Sequence, residues 1–112
     1  MVKNGDPGIA NATGPLLEDL AVLLKGLADE NRLRLLLALV DGEKTVSRLV
    51  GDLELSQPLV SHHLKELRRA LLIRMERRGP FVFCQLADPR IIILLEDLRK
   101  LTSDLLARRN LG

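Results

Sequence analysis

Residues 55–65 read LSQPLVSHHLK, and this stretch predicts a helix that begins directly after a tight turn. Ser56 can cap the helix through its hydroxyl, and Pro58 fits the first turn, where backbone N–H groups have no partners within the helix. A shorter helix is predicted just before it, over about residues 45–53. Two helices separated by so few residues are typical of a helix-turn-helix. The helix that follows Ser56 has one apolar face, which is predicted to point inward and is formed by Val60, Leu64, Leu67 and Leu71.

Three further helices and two strands are predicted around this motif. The strands are short, and the Gly-Pro pair at residues 79–80 supplies a turn between them. The expected fold is mainly α with a small β-hairpin (α+β), a winged helix-turn-helix in the order α-α-α-α-β-β-α. The remaining elements are a first helix from Leu16, a second helix capped by Asp29, strands over residues 72–77 and 81–86, and a last helix from Asp88-Pro89 to about Arg108.

The 112 residues fit one compact domain, predicted over residues 16–108. Residues 1–15 hold three Gly, two Pro and two Asn and are expected to form a flexible arm, and residues 109–112 a short tail. The arm has no apolar leader segment, and apolar runs such as Ile91–Leu95 are too short to cross a bilayer. A cytoplasmic protein without a membrane partner is expected.

Positive charge is concentrated although the net charge is only +2. Residues 62–78 hold six Lys or Arg against two Glu, whereas residues 1–31 hold five acids and two bases. Such a concentration is typical of a surface that meets nucleic acid. Taken alone, the polar face of the helix that follows Ser56 could be an ordinary solvated surface. Together with the tight turn and the basic hairpin, it favours double-stranded DNA as a partner.

The side chains predicted to contact DNA fall into three groups. Short polar groups near the helix N-terminus suit base edges in the major groove. Cations further along the helix suit phosphates, and those of the hairpin suit the backbone or the minor groove. The groups are Ser56, Gln57, Pro58, Ser61 and His62; Lys65, Arg68 and Arg69; and Arg74, Arg77 and Arg78.

The first and last helices carry more apolar surface than a small domain can cover by itself. A homodimer through these two helices would bury that surface and place two reading heads on one side. The alternative is that Ile92, Ile93 and Leu106 pack under the hairpin within one subunit. The predicted dimer interface consists of Leu16, Leu20, Leu23, Leu24, Ile92, Leu95, Leu98, Leu101 and Leu105.

Three segments resemble the ArsR/SmtB family of winged helix-turn-helix transcriptional regulators: residues 27–34 (LADENRLR), 55–67 (LSQPLVSHHLKEL) and 77–86 (RRGPFVFCQL). The resemblance covers about residues 16–107. It implies a homodimeric repressor that binds an imperfect palindrome and is released by an inducer, often a metal or metalloid. The sequence departs from the family at Glu54 and Leu71, where the family often has Gly.

The residues offer neither of the metal sites that the resemblance would suggest. Thr45 and Ser47 stand where arsenic- or lead-binding members have a Cys-x-Cys, and soft metals prefer thiolates to hydroxyls. The last helix has carboxylates but no His for a zinc-type site, which leaves only an unusual ligand set from Glu96, Asp97 and Asp104. No cofactor or metal is therefore expected, and the effector stays open.

His62, His63 and Cys84 could each have a structural or a functional role. Adjacent on a helix, His62 and His63 diverge by about 100° and chelate poorly; His62 is expected to face DNA and His63 to lie on the helix flank. Cys84 is expected to be a small buried strand residue; the alternative is a redox sensor, which needs an exposed thiol of low pKa.

An enzyme is not expected, because the sequence has no Gly-rich phosphate loop, no Ser/His/Asp set in a plausible context and no pair of His suited to a catalytic metal. The main alternative to DNA binding is a winged-helix module that docks another protein, and a further one is a metal- or redox-responsive repressor with unusual ligands.

Overall fold

The computed structural model describes residues 8–111 and the side chains of residues 8–109. It confirms the predicted order of five helices with a hairpin before the last one. Residues 1–7 of the predicted flexible arm lie outside the described residues. The helices and strands are α1 (Gly14–Leu27), α2 (Glu30–Ala38), β1 (Lys44–Thr45), α3 (Val46–Leu53), α4 (Gln57–Arg69), β2 (Ile73–Arg78), β3 (Phe81–Leu86) and α5 (Arg90–Leu111), with a short 3-10 helix at Ile9–Asn11.

The sheet has three antiparallel strands in the order β1-β3-β2. The hairpin register pairs Ile73 with Leu86 and Arg78 with Phe81. The two-residue strand β1, which the sequence did not predict, pairs Lys44 with Cys84 on the other edge of β3. Because β1 leads directly into α3, the sheet is joined to the helix-turn-helix by backbone hydrogen bonds on that edge.

Local interactions start and end the helices where polar side chains are available. Asp29 accepts a hydrogen bond from the backbone N–H of Arg32 at 3.0 Å and so caps α2. The guanidinium of Arg32 donates to the carbonyls of Gly26 (2.8 Å) and Lys25 (2.9 Å), which satisfies two acceptors at the end of α1. Two helix ends differ from the prediction, since α1 begins two residues before Leu16 and α5 continues to Leu111.

A single apolar core lies between α2, α3, α4 and the inner face of the sheet. Gly26 allows α1 to approach the end of α4 closely, because a Cβ at this position would lie 2.6 Å from the Cβ of Ala70. The fully buried side chains are Leu35, Leu36, Leu39, Leu49, Val60, Leu64, Leu67, Leu72 and Cys84.

Two assignments on the inner face of α4 were wrong. Leu71 was predicted to point inward, but its side chain is 79% exposed. The helix ends at Arg69 and Leu71 has a left-handed backbone (φ 64°), so the helical periodicity no longer applies to it. His63, expected on the helix flank, is instead buried with only 7% exposure, because it shares the face of Val60, Leu64 and Leu67 at helical spacing.

Candidate nucleic-acid interface

The outer face of α4 is polar and exposed from its first residue. Ser56 caps the helix, its hydroxyl oxygen accepting a hydrogen bond from the N–H of Leu59 at 3.3 Å. All eleven predicted DNA contacts are exposed on α4, its cap and β2. Since the opposite face of α4 is buried in the core, the orientation of the helix is fixed and its outer face points away from the core. They are Ser56, Gln57, Pro58, Ser61, His62, Lys65, Arg68, Arg69, Arg74, Arg77 and Arg78.

The cations of this surface differ in how much of their charge is available. Within the described residues, Lys65, Arg68 and Arg77 form no ion pair. Arg69 lies 3.2 Å from a carboxylate oxygen of Glu66, one turn earlier on the same exposed helix face. Such an exposed pair is weak and leaves Arg69 able to exchange partners.

Arg78 is bound to two carboxylates within the protein. Its guanidinium donates to both carboxylate oxygens of Glu43, at 2.7 and 2.9 Å, and to Glu76 at 3.1 Å. Its central carbon lies 4.3 Å from the centre of the Phe83 ring. These hydrogen bonds lower the pKa of Glu43 and raise that of Arg78. No local pattern indicates this cluster, since Glu43 and Arg78 are 35 positions apart along the chain.

Both positions where the family often has Gly have a left-handed backbone. Glu54, between α3 and α4, has φ 55°, and Leu71, after α4, has φ 64°. The turn is also held from outside, because Arg34 donates to the carbonyl of Leu53 at 2.9 Å. The turn geometry of the helix-turn-helix is therefore kept without glycine, at a local cost in backbone strain.

His63 connects the buried side of α4 to the start of α2. Its Nε2 lies 3.8 Å from a carboxylate oxygen of Asp29, and its Nδ1 is buried without a hydrogen-bond partner within the described residues. The pKa of Asp29 is lowered, mainly by the hydrogen bond from the N–H of Arg32 and further by the charge of His63. The spacing of His63 from Val60 and Leu67 was the signal that could have revealed its burial.

The apolar faces of α1 and α5 are largely uncovered in the single chain. Ile91 anchors the start of α5 with 8% exposure. Of the three side chains considered for packing under the hairpin, Ile93 and Leu106 are 61% and 44% exposed and Ile92 is half-buried. A groove of about 760 Å³ separates α2 from α5, with a lining that is mainly leucine. Of the predicted interface, Leu16, Leu24, Leu98, Leu101 and Leu105 are exposed, and Leu20, Leu23, Ile92 and Leu95 are half-buried.

The candidate effector positions have structural roles in the fold. Thr45 caps α3, its hydroxyl oxygen accepting a hydrogen bond from the N–H of Arg48 at 3.1 Å. Cys84 is fully buried, and burial raises the pKa of its thiol to about 11, the direction opposite to that of a reactive cysteine. Among the described residues, no group of three or more His, Cys, Asp or Glu side chains could hold a metal ion.

Comparison with known proteins identifies the family. Residues 29–75 match the family model described as "Bacterial regulatory protein, arsR family". The chain is also 40% identical over 80 residues to the transcriptional activator HlyU of Vibrio cholerae, covering 71% of this chain and 74% of HlyU. The chain belongs to the ArsR family of bacterial regulatory proteins.

Other ArsR-family relatives broaden the comparison. The HTH-type transcriptional repressor SmtB of Mycobacterium tuberculosis is 37% identical over 82 residues, which are 73% of this chain and 61% of SmtB. The solution structure of the homodimeric winged helix-turn-helix domain of Mb0332 from Mycobacterium bovis has a TM-score of 0.75 at 24% identity, covering 83% of this chain and 86% of that one. The fold is thus that of a winged helix-turn-helix, and the two sequence relatives are an activator and a repressor.

No helix within residues 8–111 combines the length and the apolar character needed to span a membrane. Even α5, with 22 residues, has charged side chains along its length.

Proposed function

We propose that this ArsR-family regulator binds an inverted-repeat DNA operator as a homodimer and represses transcription from it. The observation that carries the proposal is the outer face of α4, where exposed polar side chains at the helix N-terminus stand beside Lys65 and Arg68, which form no ion pair with the described residues. A helix N-terminus of this kind enters the major groove in helix-turn-helix proteins.

Some of these side chains are suited to contact base edges and others to contact phosphates. Gln57 and Ser61 lie on the outer face near the start of α4, and Gln can make two hydrogen bonds to an adenine edge. Lys65 and Arg68 lie further along the helix, and Arg77 lies on the wing; these three contact phosphates and fix the register without reading sequence.

The homodimer is proposed to form through α1 and α5. The exposed leucines of these helices, together with the groove between α2 and α5, present apolar surface that a second copy would bury. The homodimeric state of Mb0332, which has the same fold, supports a homodimer but does not specify its interface. Two recognition helices related by a two-fold axis require an operator with matching symmetry.

Regulation is proposed to use neither of the family's usual metal sites. Thr45 is engaged as a helix cap, and in the described part of the chain no group of three or more His, Cys, Asp or Glu side chains could hold a metal ion. Glu96 forms an ion pair with Arg99 at 2.6 Å, which further lowers its value as a metal ligand. The protein then responds to a non-metal effector or to its own concentration.

The proposal is tested by comparing two variants on two DNAs. A duplex enriched from a randomised library and a scrambled duplex are titrated at several salt concentrations. We expect Gln57→Ala to weaken binding to the enriched duplex by about 1–3 kcal/mol and to spare the scrambled one. We expect Arg77→Ala to weaken binding to both and to reduce the salt slope by about one.

Lys100→Ala is the matched control for Arg77→Ala, since Lys100 is an exposed cation on α5, away from the wing. It should leave the salt slope unchanged. Equal losses on both duplexes for Gln57→Ala would show that Gln57 does not read bases. Weak and equal binding of the unaltered protein to both duplexes would favour the alternative function, docking of a protein partner.

A further inference from the structure

The side chain of Arg78 crosses the face of the three-stranded sheet. Arg78 ends β2 on one edge of the sheet, and Glu43 directly precedes β1 on the other edge. Phe83 lies between them on the central strand β3, opposite Glu76 on one side and Thr45 on the other. The central carbon of the guanidinium lies 4.3 Å from the centre of the Phe83 ring, and its nitrogens form ion pairs with the carboxylate of Glu43 and with that of Glu76.

This geometry adds a side-chain connection between the wing and the helix-turn-helix beside the backbone pairing of β1 with β3. Glu43 is two residues before Thr45, the cap of α3, so its position is tied to the first helix of the motif. Arg78 stands immediately before the turn of the hairpin, at the far end from the core. The planar guanidinium can make two parallel bonds to Glu43 and stack on Phe83 together, which a lysine cannot do.

We propose that Arg78 is a positioning residue for DNA recognition: through Glu43, Glu76 and Phe83 it fixes the wing relative to helices α3 and α4. The inference rests on the proposed function and changes the role predicted for Arg78, which was a direct contact to DNA. Two carboxylates surround this guanidinium, so its charge is already balanced within the protein.

The two roles predict effects of opposite sign for one substitution. If Arg78 is a phosphate contact that Glu43 restrains, Glu43→Gln frees Arg78 and removes a negative charge near DNA, so binding strengthens. If Arg78 positions the wing, Glu43→Gln loosens the hairpin and binding weakens although the protein has become more positive. Both side chains are exposed by about two-fifths (42% and 37%), so the variants are expected to fold.

The experiment measures DNA affinity and its salt dependence for the intact protein and four variants, on the enriched duplex. We expect Glu43→Gln to weaken binding about 2- to 5-fold, the range that an exposed ion pair supports, with an unchanged salt slope. Arg78→Ala should weaken it up to about 10-fold, since the stacking on Phe83 is lost as well. Arg78→Lys should restore little, and the double variant should lose no more than Arg78→Ala alone.

Glu18→Gln is the charge-matched control, because Glu18 is an exposed carboxylate on α1 away from the wing. Binding by Glu43→Gln that equals or exceeds that of Glu18→Gln would overturn the inference. So would a salt slope reduced by about one in Arg78→Ala, since that is the signature of a lost phosphate contact.

Failure of the proposed function can be told apart from failure of this inference. If the unaltered protein binds neither duplex, the proposed function fails. Amide hydrogen exchange of β2 and β3 then tests separately whether Arg78 and Glu43 fix the wing. Faster exchange at the hairpin end near Arg78 in both Glu43→Gln and Arg78→Ala, but not in Glu18→Gln, would support the fixing of the wing. Unchanged exchange in both would overturn it.

Discussion

Leucine at position 71 should be less favourable for stability than glycine. The end of α4 is a Schellman motif, in which the N–H of Leu72 donates to the carbonyl of Leu67 and that of Leu71 to Arg68, both at 3.0 Å. Leu71 occupies the left-handed position of this motif, with φ 64°. Its side chain is 79% exposed, so no burial offsets the backbone strain.

The expected gain from Leu71→Gly follows from two opposing terms. A Cβ in the left-handed region costs about 1–2 kcal/mol, and glycine removes that cost. Glycine also loses more conformational freedom on folding, which returns about 0.5–1 kcal/mol. The net stabilisation is therefore about 0.5–1 kcal/mol, since almost no apolar contact is lost.

Chemical denaturation measures this difference, at one protein concentration because unfolding of a dimer depends on concentration. Leu71→Ala is the matched control, because it removes the same exposed side chain but keeps the Cβ that causes the strain. We expect Leu71→Gly to raise the midpoint with an unchanged slope, and Leu71→Ala to lie within about 0.5 kcal/mol of the original protein. A glycine variant no more stable than the alanine variant would refute the reasoning.

Three further predictions concern packing, assembly and pH. Gly26→Ala should cost about 1–3 kcal/mol in thermal unfolding, because its Cβ would lie 2.6 Å from a neighbouring side chain. Gly51→Ala should instead stabilise, since a Cβ there meets nothing within 4 Å; a loss at both positions would contradict the packing. Leu98→Glu should give the mass of one chain in sedimentation, because a charge would be buried in the proposed interface; the mass of two chains would place the interface elsewhere. Asp88 should titrate at about 2 in an NMR pH series, because the Arg90 side chain and N–H hydrogen-bond its carboxylate and lower its pKa, and a midpoint near its ordinary value would contradict this. The stability that Asp88 contributes is then present above about pH 4 and is lost as the pH falls toward 2.

The local features of the fold could be predicted from the sequence because they depend on neighbouring residues. The caps at Asp29 and Ser56 and the inward positions of Val60, Leu64 and Leu67 in α4 rest on contacts within about one turn, and the structure confirms them. The departures at Glu54 and Leu71 were visible only through the family resemblance, because the family often has Gly there, and the structure gives both positions a left-handed backbone.

The features that were missed depend on contacts between distant parts of the chain. Strand β1 has only two residues, too few for a recognisable pattern, and exists because Lys44 and Thr45 pair with β3. The ion pair of Arg78 with Glu43 forms only after the sheet has assembled, so Arg78 looked like a free cation in the sequence. The burial of His63 was missed although its spacing indicated it, because this polar residue was assigned to the helix flank.

The central claim, that α4 reads a specific DNA sequence, is tested most directly by one titration. The purified protein is titrated into a fluorescent duplex enriched from a randomised library and, in parallel, into a scrambled duplex at near-physiological salt. If α4 reads the sequence, we expect a preference of about a thousandfold or more for the enriched inverted repeat. Weak binding of equal strength to both duplexes would contradict it.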